Sequence, residues 1–298
     1  MNIINLAIHR TKQLLFAASL FAGTFSLFGA CNVALAGQTC EPQRPSLESV
    51  RRDIALAVSV AQQLDDMNQK DGTTVVLIAR AGQNLNEYHL RYSHLGIAYR
   101  DDAALGGRGA WRVVHKLNQC GSSQSTLYRQ GLAEFFGDGL FVHEAGVVVL
   151  NHGIAARLPQ QLKDDALLKT LDEPRYNMLA YPWSGPYQQS NQWAIETLAM
   201  MIEPSVNSRE AARSWLRAQD YRPTTLQIST LTRLGARLTS AHISFDDHPF
   251  GRRMGGQIDT VTVDSVFSWM ERSGLGYAPL RLRTLTPERP QAWSRIGT

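Results

Sequence analysis

The chain has 298 residues, 44% of them hydrophobic and 19% charged, with a formal net charge of +4. That balance supplies ample material for a buried core and excludes a disordered or low-complexity polymer. No basic run interleaved with aromatics occurs, so nucleic acid is not an expected partner.

Residues 1–12 carry the only early charges, Arg10 and Lys12, and an uncharged apolar run follows from Leu14 to Ala36. The run closes on Ala34-Leu35-Ala36 before Gly37, the small-x-small pattern of a signal-peptidase site. Residues 1–36 therefore read as a signal peptide and 37–298 as one exported, periplasmic domain. The alternative is an uncleaved anchor, because an uncharged run of this length approaches a membrane span. Membrane attachment is expected through that segment alone. Cleavage would take the formal charge from +4 to +2 and remove Cys31. It would leave Cys40 and Cys120, and an isolated pair in an oxidising compartment reads most simply as a disulfide. The other reading keeps one of them as a free nucleophile.

In chain order, Pro45-Ser46 opens a helix to about Gln69, with Leu47, Val50, Ile54, Val58, Ala61, Leu64 and Met67 at three-to-four spacing. Thr73–Arg80 is a buried strand. Tyr92–Tyr99 and Trp111–His115 are strands joined by a loop, Asp101–Gly109, whose Gly106, Gly107 and Gly109 serve a hairpin rather than a phosphate. Gln124–Phe136 reads as helical, Gly146–Leu150 as a strand, and Ile154–Leu171 as helical apart from Pro159. Tyr176–Tyr187 is an aromatic loop broken by Pro and Gly. Helices follow at about Ser190–Ile202, Ser208–Gln219 and Asp264–Arg272, with late strands at Ile258–Val263 and Leu280–Leu285. Helices segregate from a mainly antiparallel sheet, so the fold class is α+β.

Two histidines stand out. The hairpin brings His94 and His115 to within about one residue of opposition, and two imidazoles on neighbouring strands can form a catalytic base and its orienting group. Alternation raises a difficulty. Leu95, Ile97 and Tyr99 share one face, and Trp111, Val113 and His115 share one too. If those apolar faces coincide, His115 points away from His94 unless a bulge intervenes. The second candidate is the helix start after Tyr187. Ser190 reads as an N-cap, followed by Asn191, Gln192 and Trp193, and free N–H groups there can stabilise an anionic intermediate. Tyr181, Trp183, Tyr187 and Trp193 either line a groove or pin their loop to the core. Asp246-Asp247-His248 has metal-ligand types, but three adjacent loop residues seldom converge on one ion, and it reads as a turn. No metal site and no cofactor is implied.

Ser93-His94-Leu95-Gly96-Ile97, a turn, then Val113-Val114-His115 resembles the strand pair of NlpC-type papain-like amidases and peptidases. That resemblance implies His94 as base and His115 as orienter. The order His94, His115, strand, aromatic loop, then helix is similar to the circularly permuted branch, whose nucleophilic Cys starts the late helix. Here Ser190 or Asn191 stands in that place. The chain also resembles a family of exported bacterial proteins of unknown function, through Arg80-Ala81-Gly82-Gln83, Ser190-Asn191-Gln192-Trp193 and Phe245-Asp246-Asp247-His248-Pro249. The expected fold is therefore papain-like and permuted. Two functions follow: a hydrolase of envelope amide or peptide bonds with Ser190 as nucleophile and helix N–H groups near Asn191 as oxyanion site, or an inactive relative binding an envelope peptide, glycan or lipid.

Overall fold

A central strand, Val75–Ala81 (β1), is buried along its whole length, which a run of apolar residues achieves only when both sheet faces are covered. The computed structural model describes residues 45–239 and 242–284; residues 1–36, expected as a signal peptide, Cys40 and Leu285 lie outside them. Ahead of β1 runs Leu47–Asp71 (α1), capped by Ser46, whose hydroxyl accepts from the Ser49 N–H, and closed by Gly72 in the left-handed region. The elements that follow are His94–Asp101 (β2), Ala104–Gly107 (α2), Ala110–Asn118 (β3), Ser125–Gly131 (β4), Leu132–Phe136 (α3) and Val142–Val149 (β5). Short helices come next at His152–Ala155 (α4), Leu158–Lys163 (α5) and Asp165–Lys169 (α6), then Ser190–Ile202 (α7) and Arg209–Ala218 (α8). The rest comprises Thr224–Gln227 (β6), Thr230–Thr239 (α9), Phe250–Met254 (α10), Gln257–Thr260 (β7), Val263–Arg272 (α11) and Leu280–Arg283 (β8).

Six strands form one antiparallel sheet in the order β4-β3-β2-β1-β5-β8, and β6 pairs with β7 in a separate two-stranded sheet. The protein is thus α+β with a mainly antiparallel sheet and packed helices. On one face Leu77, Leu95, Ile97, Tyr99, Val114 and Val148 pack with α5, α6, α7, α8 and α11 through Trp193, Leu198, Phe267 and Trp269. On the other, Val76, Ile78, Ala98, Val113 and Val147 pack with α1 and α3 through Leu56, Val60, Leu64, Phe135 and Phe136. A smaller cluster joins Leu226 and Ile258 of the two-stranded sheet with Ile243 and Phe245.

Three expectations change. Gln124–Phe136 is a strand followed by a five-residue helix, because Ser125–Gly131 pairs along β3. The segment Ile154–Leu171 is three short helices, interrupted at Ala156-Arg157, before Pro159, and again at Asp164, whose carboxylate caps α6. Ser190 is the first helical residue of α7 rather than its cap; Gln189 takes that place, with extended backbone and no side-chain capping bond.

Close packing of the sheet is sharpest at Gly146 on β5. A Cβ there would meet the Tyr92 ring at 2.7 Å and the Phe267 ring at 2.8 Å. Both rings are buried, so Gly146→Ala is expected to lower unfolding free energy by about 1–3 kcal/mol, read from urea denaturation.

Candidate functional site

His94 opens β2, and its register partner on β1 is Arg80. The β2–β3 ladder runs without a bulge from Asp101↔Ala110 to Ile97↔Val114. Continued one step, that register sets His115 opposite Gly96, so the two histidines are diagonal neighbours on one face, two residues apart rather than one. No bulge is needed. The apolar sets of β2 and β3 do not coincide, because each face of this sheet is buried and each needs its own. Val114 packs on the α7 face, while Trp111 and Val113 pack on the α1 face.

The imidazoles meet directly, with His94 Nε2 2.8 Å from His115 Nδ1. The far nitrogen of His115, Nε2, lies 2.8 Å from Gln130 Oε1 on β4. Gln130 is opposite Val113 and thus again one diagonal step away. A carboxamide oxygen can only accept, so His115 carries its proton on Nε2 and presents a bare Nδ1. His94 must then donate from Nε2, which leaves its Nδ1 as an acceptor.

Phe135 of α3 closes over the pair, its ring centroid 5.9 Å from that of His94 and 5.2 Å from that of His115. Arg80 holds this lid. Its guanidinium donates to the Phe135 carbonyl at 2.5 Å and to Asp138 at 2.7 Å. Burial removes the rings from water and disfavours their charged forms, and the Arg80 charge adds to this. His94 is held well below its ordinary value by burial, then Arg80, then His115. His115 is lowered to about 4 by burial first and Arg80 second. Both rings are therefore neutral near pH 7.

Ser190 does not join them. The side chains of His94 and His115 leave the sheet on the α1–α3 face, against Phe135, whereas α7 packs on the opposite face through Trp193, Ala194, Ile195 and Leu198. The Ser190 hydroxyl neighbours the Tyr176 phenol instead. The expected nucleophile and base are thus separated by the sheet. Asn191 is used structurally: its Oδ1 accepts the Leu95 N–H at 3.0 Å, just beyond the last β2–β3 pair, and its Nδ2 donates to Val261 O at 3.2 Å. Gln189 donates to Thr260 Oγ1 and Val261 O, and Gln192 donates to Pro182 O and Glu196. Trp193 is fully buried with its indole N–H on Leu168 O, and the Tyr187 hydroxyl donates to Asp246.

Beneath this helix start lies a buried charged network that residue spacing did not reveal. Lys116, fully buried on β3, donates to Asp172, Glu173 O and Gln188 Oε1. Gln188 in turn donates to Glu196 at 2.6 Å, and Glu196 is paired with Arg209 at 2.8 Å. Asp247 accepts the Tyr181 N–H and faces His248 Nδ1, whose Nε2 meets Asp259 O. The aromatic loop is therefore tied to the small sheet rather than left as a groove wall. A cleft of about 770 Å³, lined by Met67, Thr73, Val149, His152, Tyr277 and Leu280 among others, opens beside the start of β1. His94 pairs near the other end of that strand.

Gln130 and Arg80 were missed as site residues. The signal for Gln130 was available in Thr126 and Tyr128, strand formers alternating toward it, which the helical reading of the segment overrode.

A family model for uncharacterised proteins conserved in bacteria, DUF2145, matches residues 66–270. This chain belongs to that family. The match spans the sheet as far as β5, the histidine pair and α7, and the description attached to it states no activity. No curated protein and no solved structure matches the chain.

Two measurements follow from the site. Between pH 6.5 and about 4 the unfolded chain binds a proton that folded His115 refuses, so stability falls as pH drops through that window. The loss from His115 is on the order of 3 kcal/mol, and His115→Gln should remove that part of the pH dependence in urea melts at pH 7, 5 and 4. Asn191→Ala strands the buried Leu95 N–H and should cost about 1–3 kcal/mol at pH 7.

Proposed function

We propose that this protein is an exported binding protein on a papain-like plan that does not turn its ligand over. The observation supporting this reading is the separation just described: the position that would carry the nucleophile faces away from the imidazoles. The side chains around it are committed to hydrogen bonds that hold α7 on the sheet. A hydroxyl is a weak nucleophile without a base in contact, and Ser190 has a phenol for a neighbour instead. The order of histidine hairpin, strand, aromatic loop and buried helix supports kinship with the permuted NlpC-type enzymes. The replacement of their cysteine by Ser190-Asn191 supports loss of their chemistry. The ligand class under this reading is a peptide, glycan or lipid of the cell envelope, and residues 1–36 would direct export. Cys40 would close a disulfide with Cys120, tying the chain ahead of α1 to the turn after β3.

Two experiments test this. The purified mature protein treated with a serine-directed fluorophosphonate, and separately with a peptidoglycan stem peptide, is expected to show neither Ser190 labelling nor cleavage. Labelling or cleavage that disappears in Ser190→Ala would restore the hydrolase reading. Intact mass before and after reduction is expected to differ by the two hydrogen atoms that reduction of one bridge adds; equal masses would leave both thiols free and reopen a cysteine mechanism.

A further inference from the structure

At the β5–β8 edge of the sheet, on the α11 side, two arginines clasp a single buried carboxylate and a third stands beside them. Glu144 is 1% exposed. Arg91 donates to it through Nε and Nη2, both at 2.5 Å, and Arg283 through Nη2 at 3.2 Å and Nε at 3.3 Å. Tyr92 adds its hydroxyl at 3.0 Å. Five donors saturate the roughly four lone-pair sites of a carboxylate. The guanidinium bonds, those of Arg91 above all, hold Glu144 down to about 2, so it is ionised throughout the working pH range.

Arg281 stands next to this cluster and receives nothing from it. On β8 it pairs with Gly146, two residues from the Glu144↔Arg283 pair, which places it on the same face. It lies within electrostatic reach of the Tyr92 hydroxyl. Among the described residues its guanidinium has neither an ion-pair partner nor a hydrogen-bond acceptor, and it is exposed. The second nearby carboxylate, Asp264, takes the Arg91 backbone N–H, and burial raises its pKa. Even counting Asp264 as charged, the described residues leave at least one positive charge uncompensated. Arg91 and Arg283 remain solvent-accessible, with side chains 37% and 65% exposed. Their guanidinium planes are fixed from beneath by Glu144, so the donors facing outward are ordered before any ligand arrives.

We propose that Arg91, Arg281 and Arg283 form an anion site for a phosphoryl group, with Glu144 as the residue that positions it. Guanidiniums approaching from β8 and from the segment before β2 suit an oxyanion with three or more acceptor oxygens, and forked N–H pairs match phosphate geometry. The site is independent of the histidine relay and stands whether or not the protein is an enzyme.

The test uses the full chain in low salt with two probes: inorganic phosphate by titration calorimetry, and flotation with vesicles of phosphatidylglycerol and phosphatidylcholine against phosphatidylcholine alone. Binding to phosphate identifies the phosphoryl group as sufficient, and binding to phosphatidylglycerol vesicles alone identifies a lipid headgroup as the source. In either arm Arg281→Ala should weaken binding roughly tenfold and Arg281→Glu should abolish it. Thermal stability should hold in both variants, since the Arg281 side chain ties no described element in place. Arg222→Ala, which removes an exposed arginine paired with Asp220 elsewhere, should bind like the parent. Failure of the parent chain to bind either probe, or undiminished binding by both Arg281 variants, overturns the site.

Discussion

Strand alternation in a sheet covered on both faces governs what this protein can do. Because β1, β2 and β3 are buried above and below, every second residue along them is committed to a different helical layer. His94, His115 and Gln130 step diagonally across three strands on the α1–α3 side, where Phe135 and Arg80 enclose them. Leu95, Ile97 and Val114 face α7. The helix whose first turn carries Ser190 and Asn191 therefore meets the residues between the histidines. It does not meet the histidines themselves. Nothing short of a one-residue slip of β2 would bring the two groups to one side, and that slip would invert both hydrophobic layers.

The same constraint explains why α7 is so polar for a helix buried on all sides. Its start must seal the point where β2 and β3 diverge, and the N–H of Leu95 at that point has no strand partner. Asn191 supplies the acceptor. The carboxamides of Gln188, Gln189 and Gln192 satisfy neighbouring groups in the same way, and Glu196, Arg209 and Lys116 complete a network in which buried charges are paired. This helix start is organised for fixity.

Much of the architecture was legible from residues alone. Periodicity located α1, α7, α8 and α11, and β-branched runs bounded by glycine located β1 and the histidine hairpin. The α+β class followed from their order. What failed was local information about burial. Ser125–Gly131 is an edge strand with one buried residue, the rest half-buried or exposed, so its pattern resembled an amphipathic helix more than a core strand. The histidine geometry was misjudged for a related reason, since matching apolar faces between β2 and β3 assumes a sheet with one dry side. Gln130 was invisible as a site residue because its role depends on a diagonal across β4, which only tertiary pairing defines. Arg80 and Asp247-His248, conspicuous as sequence stretches, prove to be ties that hold Phe135 and Tyr181 in place.

The central claim is that the imidazole relay is complete in itself and uncoupled from Ser190. Long-range proton–nitrogen correlation spectra of the histidine rings at pH 7 test it most directly, recorded on the parent chain and on Ser190→Ala. The account predicts neutral rings for His94 and His115, each protonated on Nε2, with signals unchanged by the substitution. A proton on His94 Nδ1, or a displacement of the His94 signals when the Ser190 hydroxyl is removed, would contradict it.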